Sequence, residues 1–144
     1  MKKMKRKGAR LARSSSLASL AEIMKILLSP GGCPWDRRQT HSTLLKYLRE
    51  EAGEVSRAVR KKDWANLKEE LGDVLLQVVF HSALAQRDGR FRLADVIRTV
   101  NAKLVRRHPH VFGGGKLLDT PAQVLREWKK IKKAEKARAR GKKA

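Results

Sequence analysis

Two long stretches with the apolar spacing of a helix, residues 41–61 and 64–87, are separated by only Lys62 and Asp63. With so short a turn we expect the two helices to pack antiparallel, as a helical hairpin. The predicted apolar stripe of the first helix is Leu44, Leu45, Leu48, Ala52, Val55 and Val59. That of the second includes Leu67, Leu71, Val74, Leu75, Val78 and Val79. Each stripe covers a broad arc, so we predict that a homodimer covers part of this surface.

Three more segments have helical spacing, and none alternates convincingly as a strand would. They cover residues 17–28, residues 93–107 and a stretch that starts at Pro121. Ser19 and Glu22 have the spacing of a capping box, and Thr40 and Asp63 are placed to cap the hairpin helices. A chain of 144 residues is long enough for one core. The pattern therefore predicts an all-α protein, a small helical bundle.

The formal net charge of +21 is concentrated at the two ends of the chain. Residues 1–13 carry seven Lys or Arg and no acid, and residues 126–144 carry ten against two acids. We therefore divide the chain into a basic N-terminal extension (1–13), a folded domain (14–132) and a basic C-terminal tail (133–144). Such ends are expected to be solvated and mobile, and they could contact RNA, DNA or an anionic membrane without sequence specificity. A role in solubility alone fits equally well.

A single cysteine, Cys33, excludes an internal disulfide framework and is typical of a reducing compartment. Ser19, Glu22 and Lys25 interrupt the apolar run after the basic start, so no signal peptide is indicated. No stretch approaches the roughly 18 apolar residues that a membrane span needs. These features predict a soluble, cytoplasmic protein.

Seven of the fourteen acidic residues lie within residues 50–73, and the predicted hairpin brings most of them together. Residue 62 is the midpoint of 54 and 70, so Glu54 is expected opposite Glu70. It is also the midpoint of 51 and 73, so Glu51 is expected opposite Asp73. Converging carboxylates repel one another unless a hard cation neutralises them. The spacing predicts a metal site, against the alternative of a solvated acidic face.

Ligands that are all oxygen favour Mg²⁺, with Mn²⁺ as a substitute. The four histidines lack a zinc-binding spacing. Mg²⁺ held by carboxylates usually keeps positions for water and phosphate. Two pairs with i,i+4 spacing could complete a phosphate pocket, although each alone is also typical of surface charge or a core tryptophan: Lys103 with Arg107, and Trp128 with Lys132.

Four blocks in this order resemble the MazG family of nucleoside triphosphate pyrophosphohydrolases, over about residues 17–135. The first is Gly-Gly-Cys-Pro-Trp-Asp at 31–36 with Gln-Thr-His at 39–41. The second is Glu-Glu-Ala-Gly-Glu at 50–54 followed by Glu-Leu-Gly-Asp at 70–73. The later blocks cover residues 103–113 and 127–132. Many family members carry two tandem copies of this domain, and this chain has one.

The resemblance implies an all-α NTP pyrophosphatase fold, a homodimer or higher assembly, and Mg²⁺-dependent cleavage of NTPs or dNTPs to a monophosphate and pyrophosphate. The implied role is removal of surplus or damaged nucleotides. The implied Mg²⁺ ligands are Glu51, Glu54, Glu70 and Asp73. Glu50 would orient or activate the attacking water, and Glu69 could share that role. The implied substrate contacts are Lys103, Arg107 and Lys132 on the phosphates and Trp128 beside the nucleotide.

Two alternatives stay open at this point. The chain could be a nucleic-acid-associated protein that uses the fold as a scaffold and its basic ends for binding. It could also be a regulatory protein that binds nucleotides without turnover.

Overall fold

The computed structural model describes residues 1–143, and over these residues it contains eight α-helices and no strand. The helices are α1 (Lys2–Ala12), α2 (Leu17–Leu28), α3 (Pro34–Arg38), α4 (His41–Lys61), α5 (Trp64–Arg87), α6 (Leu93–Arg107), α7 (Pro109–Phe112) and α8 (Pro121–Gly141). The predicted all-α class is confirmed, and the five predicted helices are α2, α4, α5, α6 and α8. Ala144, the last residue of the predicted C-terminal tail, lies outside the described residues.

Side-chain caps set where the long helices begin. Thr40 accepts a hydrogen bond from the Thr43 amide at the start of α4, and Asp63 accepts one from the Asn66 amide at the start of α5. Between them Lys62 adopts a left-handed conformation, with φ of 55°, which ends α4 and reverses the chain. For α2 the cap is Ser16 and not the predicted Ser19, because the Ser16 side chain accepts from the Ser19 amide.

The chain divides into two units, the first comprising Met1–Leu93 and the second starting at Ala94. In the first unit α4 and α5 pack against each other as the predicted hairpin, and α2 packs on α5. The centre of this unit is a buried cluster made of Met24, Leu44, Val79, Phe80 and Leu84. Apolar burial of this kind is the main force that holds the hairpin and α2 together.

The predicted apolar stripes of the hairpin are only partly buried within one chain. Leu44 and Val79 are buried, and Ala58 and Leu84, which lie outside the predicted stripes, are buried as well. The other stripe residues that are exposed, by 38–52%, are Leu45, Val59, Leu71, Leu75 and Val78. A hairpin covered by one further helix buries only one side of each long helix, so within a single chain the other side faces solvent.

Helix α1 was not predicted, because it carries six cations and only one buried apolar residue. Leu11 is 5% exposed, and the Lys7 ammonium and the Arg10 guanidinium pair with Glu22 of α2 at 2.8 and 3.1 Å. The basic N-terminal extension therefore includes a helix that packs on α2. Among the helices of residues 1–143, none combines the length and the apolar character needed to cross a membrane.

The second unit contains α7, α8 and most of α6. The indole N–H of Trp128 on α8 donates to the carbonyl oxygen of Arg107 at the end of α6, at 2.7 Å. Trp128 also contacts the His108 ring edge-on, with the ring centroids 5.2 Å apart. These contacts fix α8 against the end of α6.

Candidate metal and phosphate residues

The helical hairpin brings three carboxylates together. Glu51 lies on α4, and Glu70 and Asp73 lie one turn apart on α5. One oxygen from each carboxylate lies within 4.8 Å of the others, and all three residues are half-buried. The structure thus places Glu51 beside Asp73, as the symmetry about residue 62 predicts. We refer to Glu51, Glu70 and Asp73 as the carboxylate cluster.

The carboxylate cluster carries unbalanced negative charge. Within residues 1–143, neither Lys nor Arg forms an ion pair with any of its three members. Burial raises the pKa of Glu51, and the charges of Asp73, Glu70 and Glu50 raise it further. A hydrogen bond with Glu70 acts in the same direction. Glu51 therefore holds its proton more tightly than an ordinary glutamate, which is the response of crowded carboxylates that lack a cation.

Glu54 lies outside this cluster although the sequence places it in the same group. Its carboxylate is taken by Arg57, one turn further along α4. The Arg57 Nε donates to Glu54 Oε2 at 3.0 Å, and a second guanidinium nitrogen pairs with Oε1. An i,i+3 arginine on the same helix is a nearby partner that the symmetry argument left out. The metal-ligand role of Glu54 stays a prediction.

Glu50 and Glu69, the predicted catalytic residues, are both exposed. Each precedes a member of the carboxylate cluster in sequence. Glu50 acts on the cluster electrostatically, because its charge helps raise the pKa of Glu51. Their positions leave them open to solvent, where a carboxylate can exchange protons with water.

The four predicted substrate-binding residues lie in the second unit. Lys103 and Lys132 are exposed, and the Lys132 ammonium lies 6.0 Å from the centroid of the Trp128 ring. Trp128 is half-buried by the contacts described above. Arg107 is not free, because its guanidinium donates to Glu135 Oε2 at 2.8 Å. A phosphate that binds Arg107 would have to compete with this carboxylate.

Glu135 is a charged residue that the sequence analysis missed. It receives hydrogen bonds from Arg107 and, at 2.7 Å, from Arg106. These two arginines hold the pKa of Glu135 down to about 2, against an ordinary value of 4.5. The sequence offered one signal, since Glu135 is one of only two acids among the cations of residues 126–144.

Comparison with known proteins gives consistent results. The sequence model of the MazG nucleotide pyrophosphohydrolase domain matches residues 39–112, which include the whole carboxylate cluster. A nucleoside triphosphate pyrophosphohydrolase/pyrophosphatase MazG of Thermotoga maritima is 52% identical over 119 residues, covering 83% of this chain and 45% of the relative. A nucleoside triphosphate pyrophosphohydrolase of Escherichia coli is 44% identical over 119 residues, covering 82% of this chain and 45% of the relative.

A solved structure agrees with the fold. The crystal structure of a mazG-related protein from Thermotoga maritima superposes with a TM-score of 0.68 at 37% sequence identity. The match covers 81% of this chain and 99% of the solved one. The chain spans less than half the length of the two curated relatives described above.

Proposed function

The chain belongs to the MazG nucleotide pyrophosphohydrolase family, and we propose that it hydrolyses nucleoside triphosphates to nucleoside monophosphates and pyrophosphate. The observation that carries the proposal is the carboxylate cluster, which has no cation of its own within residues 1–143 of a chain whose formal net charge is +21. The names of the relatives from Thermotoga maritima and Escherichia coli support the same reaction.

We propose Mg²⁺ as the cofactor, with Mn²⁺ as a substitute. The donors fit, because carboxylate oxygens are the ligands these ions prefer. The raised pKa of Glu51 is the second support: burial is its main cause, and a divalent cation would relieve the repulsion from neighbouring acids that raises it further. Bound at Glu51, Glu70 and Asp73, such an ion would stabilise negative charge on the phosphate oxygens. Glu54 would join these ligands if it releases Arg57.

The residues of the chain would then divide the remaining work. Glu50, with Glu69, orients the attacking water and takes its proton. The water oxygen bonds to the α-phosphorus, the bond from that phosphorus to the bridging oxygen breaks, and pyrophosphate leaves. Lys103, Arg107 and Lys132 offset phosphate charge. Trp128 lies beside the nucleotide, and Arg107 exchanges its bond to Glu135 for one to phosphate.

We also propose that the protein is a homodimer or a higher homo-oligomer. The exposed side of the hairpin presents Leu71, Leu75 and Val78 on one face of α5, at i, i+4 and i+7. A run of exposed apolar residues on one helix face is typical of an interface between subunits. Sedimentation of the wild-type chain beside Leu75→Asp tests this, with a smaller species expected for the variant.

The proposed cellular role is clearance of surplus or damaged nucleotides in the cytoplasm. A second candidate function is non-specific nucleic-acid contact through the basic ends, and exposed cations on α1 and the last turns of α8 favour it. Such binding would weaken steeply with salt. Replacing Lys2, Lys3, Lys5 and the exposed cations of residues 136–143 by Gln, with Leu11 and Glu135 left in place, would abolish it and spare hydrolysis.

The experiment that tests the main proposal is pyrophosphate release from a panel of NTPs and dNTPs with Mg²⁺, for the wild type beside Glu70→Gln. We expect release by the wild type, with a monophosphate as the other product, and none by the variant. A wild type that binds nucleotides without turnover would support the regulatory alternative. Equal release by both proteins would exclude the carboxylate cluster as the site.

A further inference from the structure

Gln77 is a buried polar residue that none of the roles described above uses. It lies on α5 one turn after Asp73 and is only 7% exposed. Within residues 1–143, no donor lies within hydrogen-bonding range of its side-chain oxygen, Oε1. Most buried side-chain oxygens have a partner, and one without a partner lowers the stability of the fold. A buried acceptor without a donor in the chain indicates that a bound water or ligand donates the hydrogen bond.

The position of Gln77 on α5 directs it toward the carboxylate cluster. Four residues along a helix rise about 6 Å and return to nearly the same face. Side chains on a helix also lean toward its N-terminus, over the turn that precedes them. Helix geometry therefore predicts that the Gln77 side chain leans toward the turn of α5 that carries Asp73.

One turn after Gln77 on α5 is His81, which forms a pair with His41 of α4. His41 Nδ1 and His81 Nδ1 lie 2.8 Å apart with their rings stacked, so one of the two donates to the other. Burial lowers the pKa of His81, and the charge of His41 lowers it further, which favours the neutral form of His81. His81 Nε2 is also buried and, within residues 1–143, has no partner. A buried water that hydrogen-bonds to both His81 Nε2 and Gln77 Oε1 is thus the alternative explanation for the unpartnered oxygen of Gln77.

We propose that Gln77 Oε1 accepts a hydrogen bond from a water in the hydration shell of a divalent cation held by Glu51, Glu70 and Asp73. Gln77 is then a positioning residue of the metal site, and this inference rests on the proposed function. Mg²⁺ gives up its waters reluctantly and usually keeps several of them. The protons of those waters need acceptors, and the carboxylates of the cluster are occupied by the ion. A hydration water about 2.1 Å from the ion extends its reach by a hydrogen bond of about 2.8 Å.

The test is a Mn²⁺ titration of the full chain, with free Mn²⁺ measured by electron paramagnetic resonance, together with the thermal midpoint of the metal-free protein. Gln77→Leu keeps the volume and removes the acceptor. We expect it to weaken Mn²⁺ binding by about 10-fold, as loss of an outer-shell partner usually does. Its metal-free thermal midpoint should equal or exceed that of the wild type, because an unpartnered polar atom is gone. Gln77→Glu, which restores an acceptor, should bind Mn²⁺ at least as tightly as the wild type.

The matched control is Ser82→Ala on the same helix. Ser82 is also buried, at 3% exposure, but its hydroxyl already donates to the Val78 carbonyl. We expect this variant to bind Mn²⁺ like the wild type. If Gln77→Leu does not fold, Gln77→Met removes the same acceptor with a more flexible side chain and is measured in its place.

The outcomes separate this inference from the proposed function. Glu70→Gln is titrated in parallel, and a wild type that fails to bind Mn²⁺, or a Glu70→Gln variant that binds normally, overturns both. If Glu70→Gln loses Mn²⁺ and Gln77→Leu binds like the wild type, only the role of Gln77 is overturned. Unchanged Mn²⁺ binding with a lowered thermal midpoint would assign Gln77 to the water bridge with His81.

Discussion

Two groups of charged side chains, one in each unit, respond to their surroundings in opposite ways. In the carboxylate cluster of α4 and α5, burial and the neighbouring acids raise the pKa of Glu51. In the second unit, hydrogen bonds from Arg107 and Arg106 lower the pKa of Glu135 to about 2. The side chains are chemically the same, and the difference is whether the chain supplies the cation.

This difference separates a group whose charges are balanced within the chain from the candidate metal site. Glu135 and its two arginines are complete, since donors and acceptors are matched within the chain. The carboxylate cluster has no such match within residues 1–143, and we propose that a divalent cation supplies it. Perturbed charge at half-buried positions is one feature that is common at ligand sites.

The largest effect is expected on pyrophosphate release, when a member of the carboxylate cluster is replaced. Asp73→Asn should lower pyrophosphate release by about 100-fold, a typical effect of losing one electrostatic stabiliser, and leave the fold intact. Asp88→Asn, at the end of the same helix and paired with Arg87, is the control and should retain activity. Circular dichroism confirms folding of both. Equal activities of Asp73→Asn and Asp88→Asn would show that the carboxylate cluster has no special role in hydrolysis.

Breaking the balanced group should affect stability rather than metal binding. Glu135→Gln is expected to lower the thermal midpoint at neutral pH, because Arg106 and Arg107 lose their shared partner. The folded pKa of about 2 lies below the ordinary 4.5, so this stabilisation is present above about pH 4.5 and is lost as the pH falls toward 2. The difference between wild type and variant should therefore vanish near pH 2. Calorimetry across this range tests it, and a difference that does not depend on pH would contradict the ion-pair account.

The pH dependence of Glu51 should have the opposite sign. Its folded pKa is raised, so the folded state holds its proton more tightly than the unfolded state does, and stability falls as the pH rises above 4.5. With a metal chelator in the buffer, Glu51→Gln should raise the thermal midpoint at neutral pH by about 1–3 °C. This gain should shrink toward pH 4. If Glu51→Gln is less stable than the wild type at neutral pH, the carboxylate of Glu51 does not destabilise the fold.

The smallest effect is expected at Glu54, which lies on α4 one turn after Glu51 and is paired with Arg57. Arg57→Ala frees the Glu54 carboxylate, and we expect Mn²⁺ affinity to rise by a few-fold. Titration of Arg57→Ala with and without Glu54→Gln isolates the contribution of Glu54. If the double variant keeps the gain, Glu54 is not a ligand and Arg57 acts only through its own charge.

The sequence predicted the elements that depend on local rules. The five longer helices follow from apolar period and caps, and the placement of Glu51 beside Asp73 follows from the midpoint at residue 62. The short helices α3 and α7 contain too few residues for a period to be visible, and α1 has one buried apolar residue among many cations.

What the sequence did not predict depends on neighbours in space. Which side of the broad apolar arcs is buried within one chain depends on where α2 packs, so the sequence alone did not show that Leu71 and Leu75 are the exposed ones. The pairing of Glu54 with Arg57 and of Glu135 with two arginines depends on side-chain rotamers. The unpartnered oxygen of Gln77 becomes visible only when every donor around it has been located.

The measurement that most directly tests the central claim is an NMR titration of the ¹⁵N-labelled full chain with Mn²⁺, whose unpaired electrons broaden nearby amide signals. If the carboxylate cluster holds the cation, the amides of Glu51, Glu70 and Asp73 broaden first, and that of Asp88, about 22 Å from Asp73 along α5, is less affected at the same concentration. Broadening that begins elsewhere, or that appears evenly over all exposed acids, would contradict a divalent-cation site in the α4–α5 hairpin.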